Sequence, residues 1–212
     1  RPPRSTQSRS SAASDVYKRQ IDCLPQLVVP DQFIGVTTSE AAEAYDIPCG
    51  VPVSCGGGDN MMGAIGTGNV VPGVLTMSLG TSGCLYAYSD IPIVDPKGNI
   101  AAFCSSTGGW LPLVCTMNCT LSTELVRAPL GVDLGEFENI VRAAKPGCDG
   151  VTSLPFFSGE RTPNLPNARG SILGLTPENC SAPNLLRAQV ESSIYALKFG
   201  LDAVSYTHLT LP

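Results

Sequence analysis

The sequence predicts a mixed α/β fold, of α/β or α+β architecture, in which short strands, hairpins and helices alternate. The chain of 212 residues is 43% hydrophobic and only 15% charged, so it can bury a sizeable core. Short apolar runs are bounded by glycine-rich turns, which is typical of strands. After Ser181, apolar residues recur at helical spacing. Strands and helices intermixed in this way define the class.

The first elements are short. We predict a helix over 40–45, with Ser39 as its N-cap, that ends before Pro48. The apolar run 51–55 predicts a buried strand that a glycine triplet stops, and 60–65 predicts a short helix of small residues and methionine.

Two hairpins follow. Residues 74–79 and 84–88 are strand-like, and the turn residues Gly80, Thr81, Ser82 and Gly83 join them. A second hairpin is predicted over 100–115, with its turn at 107–109.

The second half of the chain predicts two helices and a strand. Asp133 followed by Glu136 resembles a capping box for a helix through Ala144. Residues 151–157 predict a strand. The helix after Ser181, about 20 residues long, carries one apolar stripe that we expect to face the core. The stripe comprises Leu186, Val190, Ile194, Leu197, Leu201 and Val204.

Composition excludes several classes of protein. The net charge of −5 argues against a dedicated nucleic-acid binder. No apolar run approaches the roughly 18 residues of a membrane span. The nine cysteines are odd in number, scattered and without a Cys-x-x-Cys pair, so we expect no zinc site. We interpret them as buried free thiols, which suits a reducing cytoplasm.

Asp59 is the first candidate site residue. It follows a predicted strand and three glycines, and Asn60 begins a helix. A carboxylate at the end of a strand lies where open α/β sheets place their ligands, and it could accept a proton from an attacking hydroxyl. The alternative, favoured by the spacing alone, is that Asp59 only caps the helix.

The segment 78–83 is the second candidate. A glycine-bounded hairpin tip with two hydroxyls offers N–H groups and Oγ atoms to an anion. The alternative is an ordinary turn. No Gly-Lys-Ser/Thr follows, so the segment is not a Walker loop.

A polar loop is the third candidate. It contains Gly-Glu-Arg-Thr-Pro at 159–163 and Pro-Asn-Ala-Arg-Gly at 166–170. Its charges could clamp a substrate or phosphate. They could equally pair with one another to hold a long loop, which we take as the favoured interpretation.

Together these segments resemble the FGGY carbohydrate kinases over about residues 21–204. The order and spacing of the motifs carry the resemblance, and the pair in the polar loop is the most specific part. The matching segments are Gly-Gly-Gly-Asp-Asn at 56–60, Ser-Leu-Gly-Thr-Ser-Gly at 78–83, Gly-Glu-Arg-Thr-Pro at 159–163, Asn-Ala-Arg-Gly at 167–170, Gly174-Leu175 and the helix from Ser181.

The resemblance implies an actin-like, ribonuclease-H-like fold of two domains that close on a cleft. Residues 21–72 would end the first domain, and 73–204 would begin the second. By the family pattern Asp59 is the catalytic base, and Asn60 lies beside the sugar. Gly80, Thr81, Ser82 and Gly83 would face the transferred phosphate of ATP, and the region 117–120 would approach the nucleotide.

The implied reaction is ATP-dependent phosphorylation of a sugar hydroxyl, with D-xylulose as the favoured substrate in carbohydrate metabolism. Ribulose, gluconate, fuculose or glycerol kinases are the alternatives, as is a non-catalytic sugar- or nucleotide-binding remnant. Mg²⁺ would bridge the phosphates, with its main ligand outside this chain. We expect a ketose or polyol substrate and neither a nucleic-acid nor a membrane partner. A homodimer of the intact protein stays open.

The two ends differ from the rest. Residues 1–20 carry a net charge of +4 against −9 for the remainder, and they are rich in serine. We expect residues 1–20 to be disordered. Both 1–20 and 205–212 resemble translated adapter sequence, which would make the only histidine, His208, foreign. The early phosphate loop of the family, of Asp-x-Gly-Thr type, and its adenosine segment, of Gly-Gly-Gly-Ala type, are not found in this sequence, so we expect a fragment of a longer kinase that is inactive alone.

Overall fold

The structure is a computed structural model that describes residues 23–205, with side chains through Asp202. The described chain divides into two compact units after Gly56. The predictions made for residues 1–20 and 206–212 lie outside the described residues.

The first unit is built on a small antiparallel ribbon. Strand β1 (Phe33–Val36) pairs with β2 (Pro52–Ser54), and helix α1 (Ser39–Tyr45) lies between them in the chain. The hydroxyl of Thr38, rather than that of Ser39, accepts the capping hydrogen bond at the start of α1. The predicted cap is therefore one residue too late.

The second unit contains a four-stranded antiparallel sheet in the order β3-β4-β6-β5. Both predicted hairpins are confirmed, since β3 pairs with β4 and β5 pairs with β6. The central pair joins β4 to β6, so that the two hairpins form one surface. The strands are β3 (Leu75–Leu79), β4 (Gly83–Ala87), β5 (Ala101–Cys104) and β6 (Trp110–Thr116).

Helices cover both faces of this sheet. On one face, Ala64 of α2 (Asp59–Gly66) packs with Tyr86, Leu111 and Leu113. On the other face, the long helix α5 (Ala182–Ser205) inserts Leu197 into a cluster completed by Leu85, Ile100 and Val114. The result is a helix–sheet–helix sandwich with two apolar layers.

One helix was not predicted. Helix α3 (Thr120–Arg127) begins after Cys119, whose side chain makes no capping hydrogen bond. The N–H groups of Cys119 and Thr120 donate instead to carbonyls of the β3–β4 turn. Because tertiary contacts satisfy the helix start, the sequence shows no capping signal there.

The predicted capping residue of the next helix is confirmed. Asp133 precedes α4 (Leu134–Ala143), and its Oδ1 accepts the N–H of Gly135 at 2.7 Å. A short antiparallel ribbon of β7 (Thr152–Leu154) and β8 (Ser171–Leu173) follows. The predicted strand at 151–157 is shorter than expected, and β8 was not predicted.

The predicted apolar stripe of α5 faces the core in part, because Val190, Ile194 and Leu201 are only half-buried and the side chain of Val204 lies outside the described residues. Leu186 and Leu197 are fully buried. Ala188 joins a third apolar cluster with Cys148 and Val151. Among residues 23–205, no helix has the length and hydropathy needed to cross a membrane.

The cysteine prediction is half right. All nine cysteines lie within the described chain and all are free, as expected. Only Cys119 and Cys148 are buried, however, and Cys84 and Cys115 are half-buried. The remaining five are exposed, which corrects the expectation of buried thiols: Cys23, Cys49, Cys55, Cys104 and Cys180.

Candidate active site

Asp59 is the first residue of α2, not its cap. The capping position is Gly58, which has no side chain to donate or accept a hydrogen bond. The Asp59 carboxylate is exposed, and its Oδ1 accepts the N–H of Asn60 at 2.7 Å. No cationic side chain of the described residues pairs with it. The capping alternative is wrong, and the carboxylate stays open to a ligand.

The glycines before Asp59 serve packing as well as access. A Cβ at Gly57 would lie 2.5 Å from Oγ of Ser106, in the turn between β5 and β6. The segment therefore lies directly against that turn. Asn60, predicted to lie beside the sugar, is half-buried in the first turn of α2.

The tip between β3 and β4 has an asymmetric pattern of hydrogen bonds. The carbonyls of Gly80 and Thr81 accept the N–H groups of Thr120 and Cys119, each at 3.0 Å. The N–H of Gly80 donates to the Ser82 carbonyl at 3.1 Å. Within the described chain, the N–H groups and hydroxyls of Thr81 and Ser82 have no hydrogen-bond partner. The tip thus holds its acceptors in place and presents free donors, which suits an anion.

Glu160 anchors the polar loop. Its side chain is only 1% exposed, yet it pairs with neither arginine of the loop. The carboxylate instead accepts hydrogen bonds from Met117 N at 2.7 Å, Asn118 Nδ2 at 3.1 Å, Arg161 N at 2.7 Å and Thr162 N at 3.4 Å. The interpretation that the loop's charges hold one another is therefore wrong.

The arginines of the loop have different surroundings. Arg169 donates from Nη1 to the carbonyls of Asn167 and Ala168. The exposed guanidinium of Arg161 has no hydrogen bond or ion pair among residues 23–205. Thr162 fixes the backbone beside it, because its Oγ1 donates to the Cys115 carbonyl at 3.1 Å. Arg161 is therefore a positioned cation without a partner, which the sequence pattern alone did not distinguish from a paired one.

The region 117–120, predicted to approach the nucleotide, is largely committed to the protein. Met117 N donates to Glu160, and the N–H groups of Cys119 and Thr120 donate to the hairpin tip. Asn118 is fully buried, and its Nδ2 donates to the Gly159 carbonyl at 2.6 Å. Residues 117–120 thus hold the hairpin tip and the polar loop through hydrogen bonds, and their approach to the nucleotide stays a prediction.

Asp59 and Arg161 both shift the pKa of the Cys84 thiol. Burial first, then the neighbouring Cys115 thiol and Asp59, together raise the pKa of Cys84 to about 12, and Arg161 opposes the rise. Cys84 directly follows Gly83, the last residue of the hairpin turn. The structure therefore brings Asp59 and Arg161 into electrostatic range of the strand that leaves the hairpin tip.

The described residues do not form a metal site by themselves. Within 23–205, no group of three or more His, Cys, Asp or Glu side chains could hold an ion.

Residues 75–208 match the C-terminal domain of the FGGY family of carbohydrate kinases. The chain belongs to the FGGY family of carbohydrate kinases. The actin-like α/β fold expected from the resemblance is thereby confirmed.

Relatives and a solved structure point to one group within the family. The chain is 50% identical over 181 residues to a xylulose kinase of Haemophilus influenzae, which covers 85% of this chain and 37% of the relative. It is 42% identical over 183 residues to a xylulose kinase of Streptomyces rubiginosus, covering 85% of this chain and 35% of the relative. The solved xylulose kinase of Bifidobacterium adolescentis superposes with a TM-score of 0.75 at 33% identity, over 96% of this chain and 40% of that one.

The chain therefore spans little more than a third of the length of these relatives. The resemblance to xylulokinases within the family is confirmed.

Proposed function

We propose that this chain supplies the catalytic base and the phosphate-facing hairpin of an ATP-dependent sugar kinase that converts D-xylulose to D-xylulose 5-phosphate. The observation that carries the proposal is the exposed Asp59 carboxylate, open at the start of α2 in a chain of the carbohydrate kinase family. D-xylulose is favoured because the relatives at 50% and 42% identity are named xylulose kinases.

In this proposal Asp59 takes the proton of the ketose hydroxyl as that oxygen attacks the terminal phosphorus of ATP. A base must hold a free lone pair within reach of the proton, and among the described residues only one hydrogen bond occupies the Asp59 carboxylate. Asn60, the next residue on α2, lies beside the sugar.

The hairpin tip receives the transferred phosphoryl group. Its free N–H groups and hydroxyls at Thr81 and Ser82 would stabilise the equatorial oxygens, where negative charge spreads in the transition state. Gly80 and Gly83 complete the turn that holds them. Mg²⁺ bound to ATP would neutralise phosphate charge, with its main protein ligand beyond the described residues.

We place the reaction in the cytoplasm. All nine cysteines are free, and free thiols suit a reducing compartment.

The test is a chimaera in which the 181 aligned residues of this chain replace the matched segment of the Haemophilus influenzae relative. Asp59→Asn should lower kcat by at least about 10²-fold, the usual contribution of a general base, while calorimetry still detects sugar binding. Asp133→Asn is the matched control, because it also converts a carboxylate to an amide at a helix start and Asn caps as well as Asp.

The possible results separate the catalytic role of Asp59 from the binding-remnant alternative and test the identity of the sugar. Near-normal turnover by Asp59→Asn would exclude Asp59 as the base. Sugar binding without ADP release by the unsubstituted chimaera would favour a binding remnant. The sugar itself is tested on the intact protein encoded around this segment, with D-xylulose, ribulose, gluconate, fuculose and glycerol as substrates. A higher kcat/KM for any sugar other than D-xylulose would overturn the proposed substrate.

A further inference from the structure

Two thiols face each other at the start of the central strand pair. Cys84 of β4 and Cys115 of β6 are direct partners in the antiparallel register. Their Sγ atoms lie 3.5 Å apart, and both side chains are half-buried. They share the sheet face that α2 covers.

This geometry is close to that of a disulfide. Directly opposed residues on antiparallel strands have Cα atoms about 4.5–5.5 Å apart, which lies within the range that a disulfide spans. The two sulfur atoms must approach by roughly 1.5 Å to reach bonding distance. Rotation of the two side chains is the movement that would bring the sulfur atoms together.

We propose that Cys84 and Cys115 are a modification site, a thiol pair that hydrogen peroxide converts reversibly to an intramolecular disulfide. The Cys115 thiol gives up its proton, and its sulfur attacks one peroxide oxygen. The O–O bond breaks, Cys115 sulfenic acid forms, and the displaced hydroxide takes up the released proton as water. The Cys84 sulfur then attacks the sulfenic sulfur, and the displaced hydroxide takes the Cys84 proton. Two thiols and one peroxide thus give one disulfide and two waters.

The surroundings assign the order of these steps. Cys84 donates its S–H to the Cys115 sulfur at 3.5 Å, so Cys84 holds the proton between the two sulfur atoms and the first attack falls to Cys115. Cys84 then acts as the resolving thiol, already in contact with Cys115. A transient, redox-responsive disulfide is compatible with a cytoplasmic protein.

Oxidation of Cys84 and Cys115 would affect the hairpin tip and the polar loop. Cys84 directly follows Gly83 of the turn, and the Cys115 carbonyl holds Thr162 beside Arg161. Oxidation would therefore lock together two strands that carry the proposed phosphate-facing tip and the polar loop.

The experiment treats the 212-residue chain with hydrogen peroxide at low protein concentration. Free thiols are alkylated with one reagent, and thiols released by reduction with a second, before residue-level mass spectrometry. Cys84 and Cys115 should lose reactivity together, with a mass loss of two hydrogen atoms that dithiothreitol reverses. Equal loss at Cys104, which is exposed on the neighbouring strand β5, would overturn the proposal.

Single variants test the order of attack without requiring kinase activity. Cys84→Ser should leave Cys115 as a sulfenic acid that dimedone traps, whereas Cys115→Ser should leave Cys84 as a thiol. Cys104→Ser is the matched control and should form the disulfide as the unsubstituted chain does. A disulfide that persists in either Cys84→Ser or Cys115→Ser would assign it to other cysteines. If a serine variant fails to fold, the mapping on the unsubstituted chain alone decides.

Discussion

Replacing Glu160 with glutamine should destabilise the second unit far more than a conservative change normally does. Oε2 faces the amide of Asn118, and Oε1 accepts the N–H groups of Met117, Arg161 and Thr162. In Glu160→Gln an NH₂ group replaces one oxygen, so a buried donor meets another donor. Asn118 cannot relieve this by flipping, because its Oδ1 accepts the Ser158 N–H and its Nδ2 donates to Gly159.

The magnitude follows from the number of bonds that change. One hydrogen bond to a charged group is lost, worth about 1.5–3 kcal/mol, and the remaining ones lose their charge assistance. We expect the free energy of unfolding to fall by about 2–3 kcal/mol. With a slope of about 2 kcal/mol per molar urea, the urea midpoint falls by roughly 1 M.

The assay is urea unfolding followed by the fluorescence of Trp110, the only tryptophan, which lies on β6 of the same unit. Glu138→Gln is the control, since Glu138 is 73% exposed and pairs with Arg142 one helical turn away. That exposed pair is worth about 0.3–0.5 kcal/mol, so its midpoint should barely move. Equal midpoints for the two variants would show that Glu160 is not the anchor of the polar loop.

Three further results are expected from the same unfolding assay. Oxidation of Cys84 and Cys115, 31 residues apart, should raise the free energy of unfolding by about 3–4 kcal/mol, and no gain would mean that the bond strains the sheet. The pKa of Cys84 is about 12 in the folded chain and near 9.0 in the unfolded chain, so the free energy of unfolding should fall as the pH rises between these values. Cys84→Ser should lessen this fall, and an unchanged pH profile would contradict the raised pKa. Gly200→Ala should lower the free energy of unfolding by about 1–3 kcal/mol, because its Cβ would overlap Val114, whereas Gly66→Ala should raise it by up to about 1 kcal/mol, since nothing lies near its Cβ. A higher free energy of unfolding for both variants would refute the packing argument.

The sequence predicted the elements whose signals are local. The hairpins at 74–88 and 100–115 carry turn residues at their tips, and the long helix repeats apolar residues at helical spacing. Helix α3 escaped prediction because the hairpin tip, about 40 residues earlier in the chain, satisfies its first N–H groups. Strand β8 is only three residues long and is defined by its pairing with β7, which no local pattern reports.

The candidate site likewise combines features with a local sequence signal and features that depend on distant contacts. The motif order predicts Asp59 and the turn from Gly80 to Gly83 as site residues, since glycine and hydroxyl residues at fixed spacing are visible in sequence. The partners of Glu160 lie more than 40 residues away at Met117 and Asn118, so the sequence could not separate its role from that of Arg161. The register that places Cys84 against Cys115 is likewise a property of the sheet alone.

The two carboxylates of the candidate site, Asp59 and Glu160, differ in whether their oxygen atoms are free to accept a proton. Glu160 is buried, and four donors fill its lone pairs, so a substrate proton could reach it only by breaking the loop. Asp59 is exposed, with one N–H on one oxygen and the positive end of α2 behind it. A carboxylate that must take up and release a proton at each turnover needs free lone pairs and a route to the substrate. Asp59 alone of the two meets both requirements, which supports its proposed role as the base, whereas Glu160 holds the backbone of Arg161 and the polar loop in place.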